Sequence, residues 1–304
     1  MAIDIRAAFT NEPPELDFIW PGFLAGTVGA LVAPGATGKS YWALEAAMGI
    51  ACSVAGGDVL GLKLKKTGRV VYLAAEDPEP ALIRRVHAVG RHVDDEAARE
   101  AIADNLVLEP IMGRRFDVMN EQQLDRMVEK CADTRLIVLD TLSRVHSMDE
   151  NSNGDMARLL STLEYVAAST GASVLFLHHV SKGSVSGGQA DQQQAARGAS
   201  ALVDNARWAA YVAKMTERES ERLSANPVAR QPIGNERRHF YVRFGISKQN
   251  YDEPQGDQWY ERRVGGGGVL VPVELVDVPS SKQPKQKGNG GKAPRQGRGG
   301  GFSE

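Results

Sequence analysis

Ten residues, LVAPGATGKS at positions 31–40, constrain this chain more than any other stretch. They fit the phosphate-binding pattern G-x-x-x-x-G-K-[ST] at every position but the first, where Ala33 stands in place of glycine. In such a loop, backbone N–H groups ring the phosphates at a helix N-terminus, where orphan amides and the helix dipole favour negative charge. Ala33, Pro34, Gly35, Ala36, Thr37 and Gly38 are expected to form the cradle, Lys39 to neutralise the outer phosphates, and Ser40 to offer its hydroxyl to Mg²⁺. The apolar run GALVA before the loop and the helical pattern YWALEAAMGIA after it supply the strand–loop–helix setting the motif requires. At a strand end, glycine mainly permits close packing, so the Ala33 methyl is a small intrusion. Trp42, just inside the helix, reads as a packing residue.

The rest of the chain repeats that strand–helix alternation, the signature of a mainly parallel sheet covered by helices. Strands are expected at 26–33, 68–76, 135–141 and 172–179, with helices beginning near Lys39, Pro80, Glu121 and Ser152. The last helix carries Met156, Leu159, Leu160, Leu163, Val166 and Ala167 at a 3.6-residue period, a stripe made to pack on a sheet. Further strands at 204–213 and 239–247, and a hairpin within WYERRVGGGGVLVPVEL, close an α/β fold with C-terminal antiparallel strands. Residues 1–24 read as an irregular Pro-rich arm with anchors at Leu16, Phe18, Ile19, Trp20 and Phe23, residues 25–277 as the nucleotide-binding domain, and 278–304 as a disordered basic tail.

Composition narrows the function. With 42% hydrophobic and 24% charged residues, the chain can bury a sizeable core. Its two cysteines, Cys52 and Cys131, have no metal-ligand or redox spacing, and no apolar run approaches the roughly 20 residues that span a bilayer. A cytoplasmic protein without membrane contact is therefore expected. Six Lys or Arg against one acid give residues 278–304 a charge of +5, leaving −7 for the rest of a chain whose net charge is −2. An acidic body argues against coating DNA by charge alone, so any DNA contact must be local; the tail reads either as a solvating segment or as a weak polyanion-binding arm.

Four more segments bring chemistry to the same sheet edge. LIVLDT ends a strand with Asp140, the expected second anchor for Mg²⁺. VVYLAAED places Glu76 where ligand-binding loops of a parallel sheet gather, and makes it the candidate general base, with Asp77 structural. The following helix leaves Arg84 and Arg85 off its apolar face, and Arg85 is a candidate assistant. LFLHH offers His178 and His179 near the γ-phosphate; adjacent strand residues face opposite ways, so at most one can face the nucleotide. Beyond them, the polar segment 181–197 carries Lys182 and Arg197, charges suited to DNA phosphates but not to reading bases.

Together these motifs resemble the RecA-like motor ATPases, and more closely the hexameric RepA replicative helicases of broad-host-range plasmids. The matching stretches are GTVGALVAPGATGKS, YLAAEDP, LIVLDTLSR, FLHHVSKG, DQQQAARGASALVDNARW and FGISKQNY, lying along most of residues 16–262. The resemblance implies a RecA-type core with strand order 5-1-4-3-2, Mg²⁺-ATP as ligand, ring-shaped homo-hexamers, translocation on single-stranded DNA, and a replication initiator or primase as a further partner. It also implies that ATP lies between subunits and that Arg207, within DNARW, completes the neighbour's site. In DnaB-type relatives a Lys-x-Arg pair serves this purpose; here it reads Lys248-Gln249-Asn250, which favours Arg207 and leaves Lys248 an assistant. The segment Leu16 to Phe23 would pack on an adjacent protomer. Three alternatives remain open: a RecA-like recombination or repair ATPase that forms filaments on DNA, a regulatory nucleotide-binding module, and a degenerate helicase kept as a loader.

Overall fold

The computed structural model describes residues 2–179, 200–263, 265 and 267–279. A short helix, α1 (Ile5–Thr10), is capped by Asp4, whose carboxylate accepts from the Ala7 amide. Then β1 (Val28–Ala33) runs through the phosphate loop into α2 (Lys39–Ala51). The alternation continues as β2 (Val70–Ala74), α3 (Glu79–Gly90), α4 (Glu96–Asn105), β3 (Leu106–Pro110), α5 (Glu121–Lys130), β4 (Leu136–Asp140), α6 (Asn153–Thr170) and β5 (Ser173–His179). After it come α7 (Ser200–Asn205), β6 (Trp208–Lys214), α8 (Glu217–Arg222), β7 (Leu223–Ser224), β8 (Tyr241–Lys248), β9 (Gln258–Arg263), β10 (Val269–Val273) and β11 (Val276–Asp277).

Nine strands form one sheet in the order β10-β9-β8-β6-β1-β5-β4-β2-β3. Strands β6 through β3 of that order are parallel, and β8, β9 and β10 are antiparallel. The run β6-β1-β5-β4-β2 is the 5-1-4-3-2 order of a RecA-like core. The structure adds elements absent from the sequence reading: α1, inside an N-terminal arm expected to be irregular, as well as α4, the edge strand β3, α8, β7 and β11. Every residue of β3 is half-buried, so it lacks the continuous apolar run of the central strands. It also moves one boundary: residues 200–205, partly expected in a strand from 204, are helical, and β6 begins at Trp208.

Side chains along β1 alternate between two cores. Leu31 and Ala33 pack on the side of α2, whereas Val28, Ala30 and Val32 face α6, whose predicted stripe is buried there. Ser152 caps that helix by accepting from the Asp155 amide, and Gly171, at φ +73°, ends it in the left-handed region where a side chain would be strained.

The segment expected to reach a neighbour is largely internal. Ile19, Trp20 and Phe23 are buried in the chain's own core, leaving Leu16 half exposed. Phe23 stacks on Trp208 at 5.0 Å, Trp20 meets Trp42 edge-on at 5.4 Å, and Trp42 stacks on Phe244 at 4.3 Å. These rings bind the N-terminal segment to α2, β6 and β8, and make Trp42 a packing residue. Gly29 makes room for them: a Cβ there would lie 2.9 Å from both Phe23 and Trp208. Both cysteines are buried and free. Among the described residues, no helix is long and apolar enough to cross a membrane.

Candidate active site

Because β1, β5, β4 and β2 are parallel neighbours, their C-terminal ends deliver Ala33, His179, Asp140 and the Ala75–Glu76 turn to one edge. The phosphate loop leaves β1 there. Ala33 is buried without displacing the strand, and Thr37 braces the loop by donating its hydroxyl to the Pro34 carbonyl at 2.8 Å. Gly38, at φ +116°, takes a backbone conformation that suits glycine, just before α2 begins.

Lys39 follows, buried, with Nζ 2.9 Å from His179 Nε2. His179 Nε2 in turn lies 3.3 Å from Glu76 Oε1. Lysine, histidine and glutamate thus form one polar chain across the ends of β1, β5 and β2. The two histidines divide as strand geometry requires. His179 pairs in register with Ala33 and turns to the phosphate loop; His178 pairs with Val32 on the opposite face, where burial pushes its imidazole below the usual value.

The second cluster is centred on Asp140. Ser40 donates its hydroxyl to Asp140 Oδ1 at 3.1 Å, and the Tyr72 hydroxyl donates to Oδ2 at 2.7 Å. Burial raises the Asp140 carboxyl above its ordinary value, against the pull of Tyr72, Lys39 and Ser40 toward the ionised form. Tyr72 was missed in the sequence. Its signal was a lone hydroxyl inside a wholly apolar strand, VVYLA, two residues before Ala74 on the same face, where a buried phenol requires a partner.

These residues fit a nucleotide with Mg²⁺. Burial pushes the Lys39 ammonium below its usual value while Asp140 and Glu76 oppose the shift, so an anion at the start of α2 would restore favourable surroundings. The Ser40 hydroxyl and Asp140 carboxylate are a pair of hard oxygen donors suited to Mg²⁺ that keeps phosphate and water as its other ligands.

Arg85 approaches the same edge. It is ion-paired to Asp77 at 2.6 Å, and its guanidinium lies over the Tyr41 ring. Arg207 does not approach it. Its exposed side chain precedes Trp208, which pairs with Gly29 at the opposite end of the sheet, about 13 Å of strand from Ala33. Lys248, in register with Ala209, is at that far end too. Lys182, Arg197 and the rest of segment 181–197 lie outside the described residues. A residue not foreseen, Arg262 of β9, donates from Nη2 to the Thr37 carbonyl at 2.7 Å.

A family model described as an AAA domain matches residues 2–185. Among solved structures, an ATPase domain superposes with a TM-score of 0.53 at 15% identity, over 82% of this chain and 85% of that one. The RadB recombinase gives a TM-score of 0.49 at 13% identity, over 84% of this chain and 93% of that one. The first of these likenesses is one of fold.

Proposed function

The chain belongs to the AAA domain family, and from that premise we propose that it is an ATP-dependent replicative DNA helicase of the RepA plasmid type, acting as a ring of six subunits on single-stranded DNA. The observation that supports this best is the meeting of Lys39, Ser40, Asp140, Glu76 and His179 at one edge of a sheet with RecA-like strand order.

In this reading Lys39 and the N-terminal amides of α2 hold the phosphates of ATP, while Ser40 and Asp140 hold Mg²⁺, which when bound neutralises charge on the phosphate oxygens. Glu76 accepts a proton from the water that attacks the γ-phosphorus, and the bond to the β–γ bridging oxygen breaks as ADP leaves. His179, between Lys39 and Glu76, is placed to respond when the γ-phosphate departs. Arg207 serves the neighbouring subunit, since it is too far from the phosphate loop of its own chain. Lys182 and Arg197 contact the DNA backbone, with Lys248 and Arg85 as assistants.

The test separates binding from chemistry. Glu76→Gln is expected to bind a fluorescent ATP analogue normally and to lose hydrolysis, measured with single-stranded DNA present, by roughly 10²–10⁴-fold. Lys39→Ala is expected to lose both, and both variants to form rings visible by electron microscopy. Turnover by Glu76→Gln at the wild-type rate would remove Glu76 from its role. Filaments in place of rings would favour a recombination-type ATPase.

A further inference from the structure

A cleft of about 570 Å³ lies behind the phosphate loop, between the end of α3, the 3-10 turn Arg238–Phe240 and β9. It falls within the ~300–1,000 Å³ range of ligand clefts. Four guanidinium groups, those of Arg91, Arg237, Arg262 and Arg263, line it against the single carboxylate of Glu261. That carboxylate takes two of them, Arg237 at 3.3 Å and Arg263 at 3.1 Å, and so fixes their positions while leaving the cleft strongly positive. The concentration stands out in a body whose overall charge is negative. Phe240 adds an aromatic side chain to the wall.

Arg262 links this cleft to the nucleotide site. Its Nη2 donates to the Thr37 carbonyl, and a Cβ placed on Gly38 would stand 2.6 Å from that nitrogen. Its buried Nε has no hydrogen-bond partner among the described residues. Arg262 therefore lines the basic cleft and braces the phosphate loop at once, which makes it the physical connection between the two.

We propose that this cleft binds the phosphate backbone of single-stranded DNA, and that Arg262 joins its occupancy to the phosphate loop. The inference rests on the reading of the chain as a DNA-dependent ATPase and gives that reading a contact surface among the described residues. Cations spread along a groove with an aromatic side chain at hand are how sequence-tolerant sites hold a strand: guanidinium groups take successive phosphates and the ring takes a base. Arg91 and Arg237 are exposed and contribute charge at the mouth, whereas Arg262 reaches inward.

The experiment measures binding of a fluorescein-labelled oligothymidylate by anisotropy at several salt concentrations, for the full-length wild type, for Arg91→Ala and for the pair Arg91→Ala/Arg237→Ala. Both replaced side chains are exposed, and thermal melting checks that the variants fold. The double variant is expected to bind about tenfold more weakly, with the slope of log affinity against log salt reduced by about 1.4, and Arg91→Ala to lose about half of that slope. Stimulation of ATP hydrolysis by DNA should fall, while the KM for ATP without DNA stays as in the wild type. Unchanged affinity and slope in a variant of a DNA-binding wild type would overturn the cleft alone. A wild type with no affinity for the oligonucleotide would overturn the helicase reading with it, and binding of polyglutamate that depends on Arg91 and Arg237 would reassign the cleft to an acidic protein.

Discussion

Glu45 sits in the middle of α2 with almost no contact with water, and one of its oxygens accepts from the Leu270 amide at 2.9 Å while the other has no partner among the described residues. Burial pushes its carboxyl up to about 8 from an ordinary 4.5, so the folded protein holds this proton through neutral pH. A proton bound in the folded state and released in the unfolded one makes stability fall as pH rises. Glu45 therefore stabilises most below about pH 4.5, and its contribution is lost as pH climbs to about 8, by at most about 5 kcal/mol. Urea unfolding of Glu45→Gln should match the wild type near pH 5 and exceed it near pH 8. Parallel curves across that range would show that Glu45 does not carry the effect. The residue matters for function because it ties the helix that follows the phosphate loop to β10, on the same hairpin that carries Arg262.

At the scale of elements, the aromatic cluster decides whether the N-terminal segment belongs to the domain. Trp20 is almost fully buried and touches Phe23, Trp42 and Trp208, so Trp20→Ala should cost about 3–5 kcal/mol in chemical denaturation. A loss below about 1 kcal/mol would mean that this segment is peripheral after all. The same cluster shows why the sequence was only partly legible. The central strands, the α6 stripe and the phosphate loop could be read because each is a local period or spacing. The destination of Ile19, Trp20 and Phe23 could not, because an apolar anchor looks the same whether it enters its own core or a neighbour's. Strand β3 was missed for a related reason: at the sheet edge it needs no continuous apolar run. In the site, Glu76 and Asp140 followed from strand-end positions, and strand alternation limited the histidines to one. Choosing His179 required the register with Ala33, and finding Arg262 required a contact across 225 residues.

At the scale of the molecule, the described residues of one chain bring no arginine to the nucleotide site other than the Asp77-paired Arg85 and the loop-bracing Arg262, and Arg207 stands at the other end of the sheet. That separation is what a site completed by a neighbour requires, and such an arginine contributes roughly 10³–10⁵-fold to turnover. On the proposed reading, motor function depends on several chains acting together on DNA, with the basic cleft and the segment around Lys182 and Arg197 as the proposed contacts. The most direct measurement is strand displacement from a forked DNA duplex with Mg²⁺-ATP, comparing wild type with Arg207→Ala. Displacement that needs ATP hydrolysis and disappears in Arg207→Ala, with ATP binding intact, is the predicted result. ATP hydrolysis by the wild type without strand displacement, or full displacement by Arg207→Ala, would contradict the account.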